Sequence, residues 1–105
     1  MDKKTIFILE DDKSFAIIFK RWLEEERYRV IVAENVEKAK KILEKEHPVL
    51  FWLDYYLKEG EGNGMDFFHW LKKSPQFKGI PAILVSVTVD MKKLRKFEKE
   101  GITKA

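Results

Sequence analysis

The chain has 105 residues, a formal charge of +3 and no cysteine. That length accommodates one small domain, residues 1–105, and the lack of cysteine excludes disulfides, thiolate metal centres and cysteine nucleophiles. An apolar fraction of 45%, with eight Phe, three Trp and three Tyr, calls for a packed core, whereas 37% charged residues calls for a well-solvated exterior.

The opening Met1–Lys4 leads into an apolar run too short for a signal peptide, and no segment approaches the length of a membrane span. A cytoplasmic protein that touches no membrane is therefore expected. The basic residues are spread along helix faces, so direct nucleic-acid binding is not implied. The densest group, Lys92, Lys93, Arg95, Lys96 and Lys99, reads as the solvated face of a helix.

Thr5–Leu9 is a continuous apolar run of β-forming residues and reads as a buried strand that stops on Glu10, Asp11 and Asp12. Asp12 or Ser14 then caps a helix in which Phe15, Ile18, Phe19 and Trp22 recur at helical spacing, ending near Arg27. Tyr28 to Ala33 makes a second strand. Asn35 caps a second helix carrying Val36, Ala39, Ile42 and Leu43, which His47 and Pro48 stop. A third apolar run, Val49 to Leu53, ends on Asp54.

Lys58 to Gly64 is rich in glycine and charge and reads as a loop, followed by a helix over Met65, Phe67, Phe68, Trp70 and Leu71 that Pro75 and Gly79 close. Ile80 to Val87 is a fourth strand, and Asp90 opens a helix carrying Leu94 and Phe97 toward Gly101. Strict βα alternation demands right-handed crossovers and gives a doubly wound parallel sheet with helices on both faces.

In such a sheet the carboxyl ends of the strands face one crevice, so Glu10, Asp11 and Asp54 converge there although they lie far apart in sequence. Crowded carboxylates repel unless a cation joins them, and an all-oxygen set suits Mg²⁺. His47 and His69 lack partners at metal-ligand spacing. Trp52 and Trp70 read as core residues, and Asp12 is explained equally well as a helix cap or as a ligand.

With these residues in order, the whole chain resembles the receiver domains of two-component response regulators. The resemblance rests on Glu10-Asp11 after the first strand, Asp54 after the third, Ser86 in the fourth apolar run and Gly101 at the close of the fourth helix. It implies a flavodoxin-like α/β fold with strand order 2-1-3-4-(5). It also implies Mg²⁺ on Asp11, Asp54 and the backbone carbonyl of Tyr56, with Glu10 assisting. Asp54 is then the phosphoacceptor and Ser86 the switch hydroxyl.

The implied partner is a histidine kinase or a phosphotransfer protein, and the implied role is signal transduction rather than enzyme turnover, beyond the domain's own phosphorylation and dephosphorylation. A rival reading is a pseudo-receiver, an interaction module of the same fold without phosphotransfer. A haloacid-dehalogenase-type phosphatase is disfavoured, since Tyr56 stands where its second acid belongs.

Two regions depart from the family pattern. Lys58 replaces the usual proline, and Gly60 to Gly64 makes the loop about two residues longer than the family's. The family carries a lysine at the end of a fifth strand, but only Ile102 to Ala105 follows Gly101, so Lys104 comes too early and the C-terminal unit reads as truncated, without the strand or last helix. An uncovered sheet edge would favour self-association.

Overall fold

The computed structural model describes residues 3–54, 64–85 and 103–104. Within them the strands are β1 (Thr5–Leu9), β2 (Arg29–Ala33), β3 (Leu50–Asp54), β4 (Ala82–Val85) and β5 (Thr103–Lys104), and the helices are α1 (Lys13–Glu25), α2 (Val36–Leu43) and α3 (Gly64–Lys73). All pairings are parallel, in the order β2-β1-β3-β4-β5. This is the doubly wound, flavodoxin-like sheet that the alternating pattern demands.

Each strand begins and ends for local reasons. Pro81 lacks an N–H and stays outside the ladder, so β4 starts at Ala82 rather than Ile80, while the Pro81 carbonyl still accepts from Phe51 N at 3.0 Å. Val30 of β2 pairs with Ile6, and Leu9 pairs with both Ala33 and Leu53, which brings the carboxyl ends of three strands level. At the opposite, amino edge, Arg29 holds Glu46 through two bonds of 2.6 and 3.1 Å.

The helices are capped as their sequences require. Asp12 accepts from Phe15 N at 3.0 Å to start α1, and Asn35 accepts from Lys38 N at 2.8 Å to start α2. α1 ends through Glu26, and Arg27 adopts φ 69°, the left-handed position that glycine usually fills after a helix. α2 ends at Leu43, earlier than His47-Pro48 suggests. α3 starts at Gly64, so the loop's last residue is already helical.

The two faces of the sheet are covered unequally. Phe7, Leu9, Phe51, Leu53, Ala82 and Leu84 point to the side of α2 and α3, where Phe67, Phe68 and Leu71 bury them. Phe51 sits edge-on to Phe7, Phe67 and Phe77 at 5.8 to 6.2 Å between centroids. On the other face Ile6, Ile8 and Val30 lie under Phe19 and Leu23 of α1, while Leu50, Trp52 and Val32 are only partly buried.

The packing of α1 corrects one sequence expectation. Phe15, Ile18 and Trp22 share helical spacing, yet they are 54%, 41% and 57% exposed; Ala16, Phe19 and Leu23 face the sheet instead. Trp70 packs on the main core beneath the ammonium of Lys40, and Trp52 meets Phe19 in a tilted contact at 4.9 Å between centroids.

The C-terminal expectation is sharpened too. Two residues of a fifth strand are present, with Thr103 beside Ile83 and Lys104 beside Leu84. The expectation that the fifth strand is absent is therefore corrected: β5 pairs in parallel with β4 and extends the sheet. Tyr55, Tyr56, Lys58, Ser86 and the helix expected from Asp90 to Gly101 lie outside the described residues.

Candidate functional site

Three of the acids meet at the carboxyl edge of the sheet. Glu10 follows β1 directly, its N–H donating to the Ala33 carbonyl at 3.0 Å, so the β1–β2 ladder continues one residue past the strand and fixes where the side chain begins. Asp54 is the last residue of β3, beside Val85 of β4, and shares the alternation of Leu50 and Trp52. Asp11 lies between β1 and the cap of α1. One carboxylate oxygen from each of Glu10, Asp11 and Asp54 lies within 4.8 Å of the others.

Crowding and burial leave a clear electrostatic mark. Glu10 is only 7% exposed, and its pKa is pushed up to about 8. Burial is the largest cause; a hydrogen bond shared with Asp54 and repulsion from Asp54 and Asp11 add to it, against the Asp12 N–H, which donates to Glu10 Oε2 at 3.2 Å and lowers it. A site that holds a proton among three carboxylates is a site that a cation would stabilise.

The donor set fits a hard divalent ion. All three groups offer oxygen, and octahedral Mg²⁺ needs neighbouring oxygens roughly 3–4 Å apart, a modest contraction from this spacing. Asp12 is not part of the set: its carboxylate caps α1. The Tyr56 carbonyl and the Ser86 hydroxyl, expected to complete the site, lie outside the described residues.

A crevice of about 350 Å³ adjoins the acids on the β2 side, with Glu10, Asp11, Lys13, Glu34 and Lys38 on its rim and Val32 on its floor. Lys38 pairs with Glu34, one helical turn before it, and Lys13 adds a second positive charge facing Glu34. Asp54 is not among the residues lining this crevice. Neither lysine is signalled by a motif. Only their places, just after the caps of α1 and α2, mark them in the sequence.

The model of the response regulator receiver domain matches residues 6–105. This chain belongs to that family. It is similar to the signal receiver domain of a signal transduction histidine kinase from Syntrophus aciditrophicus, at 28% identity and a TM-score of 0.81, covering 96% of this chain and 75% of the other. It is also similar in fold to the Vibrio cholerae chemotaxis protein CheY4, at 16% identity and a TM-score of 0.87, covering 98% and 84%. The Mn²⁺-bound form of response regulator Rcp1 shares the fold too, at 18% identity and a TM-score of 0.83, covering 96% and 78%. No curated protein matches the chain.

Sequence reasoning on this receiver domain missed the exposed strip on α1. A signal was present, because α1 carries Phe15, Ile17, Ile18, Phe19, Trp22 and Leu23, more apolar residues than one packing stripe uses. Among the described residues, no helix is long and apolar enough to cross a membrane.

Proposed function

We propose that this receiver domain accepts a phosphoryl group on Asp54 from a phosphohistidine of a histidine kinase or phosphotransfer protein, with Mg²⁺ held by Asp11, Asp54 and the Tyr56 carbonyl and assisted by Glu10. The observation that carries the reading is the convergence of Glu10, Asp11 and Asp54 at the ends of adjacent parallel strands. When bound, the ion would neutralise the charge that otherwise keeps an anionic nucleophile from an anionic donor.

The chain's own residues do the rest. An Asp54 carboxylate oxygen forms the new bond to phosphorus as the phosphorus–nitrogen bond to the donor imidazole breaks, and the imidazole leaves with that electron pair and takes a proton. The β3 backbone fixes Asp54, so the chemistry is mostly positioning. Ser86, directly after β4, is placed in sequence to donate its hydroxyl to the phosphoryl oxygens and to carry the change outward.

Lys104 ends β5 beside Leu84, one row before the row of Asp54 and Val85. The exposed strip of Phe15, Ile18 and Trp22 begins four residues after Asp11 and offers the phosphodonor an apolar face next to the site. A cytoplasmic location and signalling by altered partner contact follow from the same reading.

The test is phosphorylation by phosphoramidate, a small phosphorus–nitrogen donor, with Mg²⁺, read by intact mass. One phosphoryl adduct on the parent and none on Asp54→Asn is expected. Equal labelling of both proteins would refute the assignment, and an unlabelled, folded parent would favour the pseudo-receiver.

A further inference from the structure

α1 sits off-centre on its side of the sheet. Its Phe19 and Leu23 pack on Ile6, Ile8 and Val30 of β1 and β2. Phe19 also reaches Trp52 of β3 at 4.9 Å, and it touches Phe15 and Trp22 at 5.9 Å each. It therefore marks a corner: the exposed strip of Phe15, Ile18 and Trp22 forms a wall on the β3 side of α1, and Trp52 begins a floor. The floor continues through Leu50 and through Ile83, which pairs with Trp52 and points away from the main core that takes Ala82 and Leu84. Among the described residues, α1 is the only helix on this side, and the floor stays partly exposed.

The wall is bounded by acids on its own helical line. Asp12 lies three residues before Phe15, and Glu25 and Glu26 lie three and four residues after Trp22, so carboxylates mark both ends about 20 Å apart. Glu25 and Glu26 are exposed and, among the described residues, form no ion pair. Lys13 and Lys20 fall on a different line of the helix, with Ile17. The α1 of a second copy laid in this corner would set acid against acid whether it ran parallel or antiparallel, and an anionic membrane would meet the same repulsion. An apolar stripe with a positive charge near each end fits both the wall and its ends.

We propose that the corner between α1 and the β3–β4 face of the sheet is a docking groove for an amphipathic helix of another protein, one with Lys or Arg near each end of its apolar stripe. The stripe covers Phe15, Ile18, Trp22 and the floor, which supplies the affinity. The end charges meet Asp12 and the Glu25–Glu26 pair at a solvated rim, where they set register and make binding salt-dependent. Docking needs neither an ion nor chemistry at Asp54, so it stands apart from the proposed phosphotransfer. A bound helix covers Phe15 and Trp22, and would hold off a protein phosphodonor while leaving a small donor free to react.

The probe is a fluorescent synthetic peptide of about 18 residues, with leucines at i, i+3, i+4 and i+7 spacing and lysines at both ends, titrated with the protein in the absence of Mg²⁺ and followed by anisotropy. Saturable binding to the parent is expected, weakened about tenfold by Trp22→Gln. Glu25→Lys combined with Glu26→Lys should weaken it several-fold at low salt and reduce its salt dependence. A peptide of the same composition with the leucines out of helical register should bind at least about tenfold more weakly. Circular dichroism checks that each variant is folded. No saturable binding to the folded parent, equal affinity for Trp22→Gln, or equal affinity for the out-of-register peptide would overturn the groove. Equal affinity for a peptide ending in glutamates would overturn the basic-ended partner. Sedimentation equilibrium of the parent alone should show no dimer that depends on Trp22; a dimer that Trp22→Gln dissolves would assign the corner to a second copy and overturn the proposal.

Discussion

The two faces of the sheet teach different lessons. On the face of α2 and α3, Phe7, Phe51, Phe67, Phe68 and Phe77 exclude solvent almost completely, and Phe51 meets Phe7, Phe67 and Phe77 edge to face. On the face of α1, one helix among the described residues covers part of the sheet, Trp52 and Leu50 stay half-buried, and four apolar residues of that helix, Phe15, Ile17, Ile18 and Trp22, face water. Strands lie about 4.8 Å apart and a helix is about 10 Å across, so α1 spans about two of the five strands. The first face holds the fold together; the second leaves apolar surface free beside the acid cluster.

The largest expected effect lies on the closed face. Phe67→Ala removes a ring in contact with Phe7, Phe51 and Trp70 and should cost about 3–5 kcal/mol in a denaturant titration. A loss below about 1 kcal/mol would erase the distinction between the faces.

Next comes the pH response of the acid cluster. The pKa of Glu10 rises from 4.5 to about 8 on folding, so the native state binds more protons than the unfolded chain between those values. Its contribution to stability is complete below pH 4.5 and is lost as pH rises toward 8. Stability without Mg²⁺ should fall across that window, by on the order of a few kcal/mol, and Glu10→Gln should flatten the profile. Urea midpoints measured at a series of pH values decide this, and a parent profile that rises with pH through the window would contradict it.

A smaller effect is expected at the turn joining the faces. Arg27 holds φ 69°, which a Cβ disfavours, so Arg27→Gly should raise stability by up to about 1 kcal/mol. A lower melting temperature for this variant would show that the Arg27 side chain contributes more than its backbone costs.

The smallest effect is expected on the open face. Trp22→Gln should change stability by less than about 0.5 kcal/mol, because the ring is 57% exposed. If the same variant weakens phosphotransfer from a kinase but not labelling by a small donor, the strip is a docking face. Equal loss with both donors would mean that Trp22 supports the site itself.

Much of this was legible in the sequence because burial on both sides writes a simple signal. β1 and β3 are continuous apolar runs that stop on acids, so both the strands and the convergence of Glu10, Asp11 and Asp54 could be read from them. Asn35 announced α2 for the same kind of local reason, a side chain that satisfies an N–H which the helix cannot.

What stayed hidden depends on tertiary placement. Helical spacing finds an apolar stripe but not which of two adjacent stripes meets the sheet, so Phe15 and Trp22 read as buried while Ala16 and Leu23 did the packing. The raised pKa of Glu10 arises from burial and from neighbours distant in sequence. The two-residue β5 is too short for any periodicity to reveal, and its pairing with β4 defines it.

The most direct test of the central claim is to locate the phosphoryl group chemically. After phosphorylation with Mg²⁺, borohydride reduces an aspartyl phosphate to homoserine, and peptide mass mapping finds the altered residue. Homoserine at position 54, and at no other acid, is the predicted result. An unreduced Asp54 in a protein that has gained a phosphoryl group, with the label on His47, His69 or another acid, would contradict it.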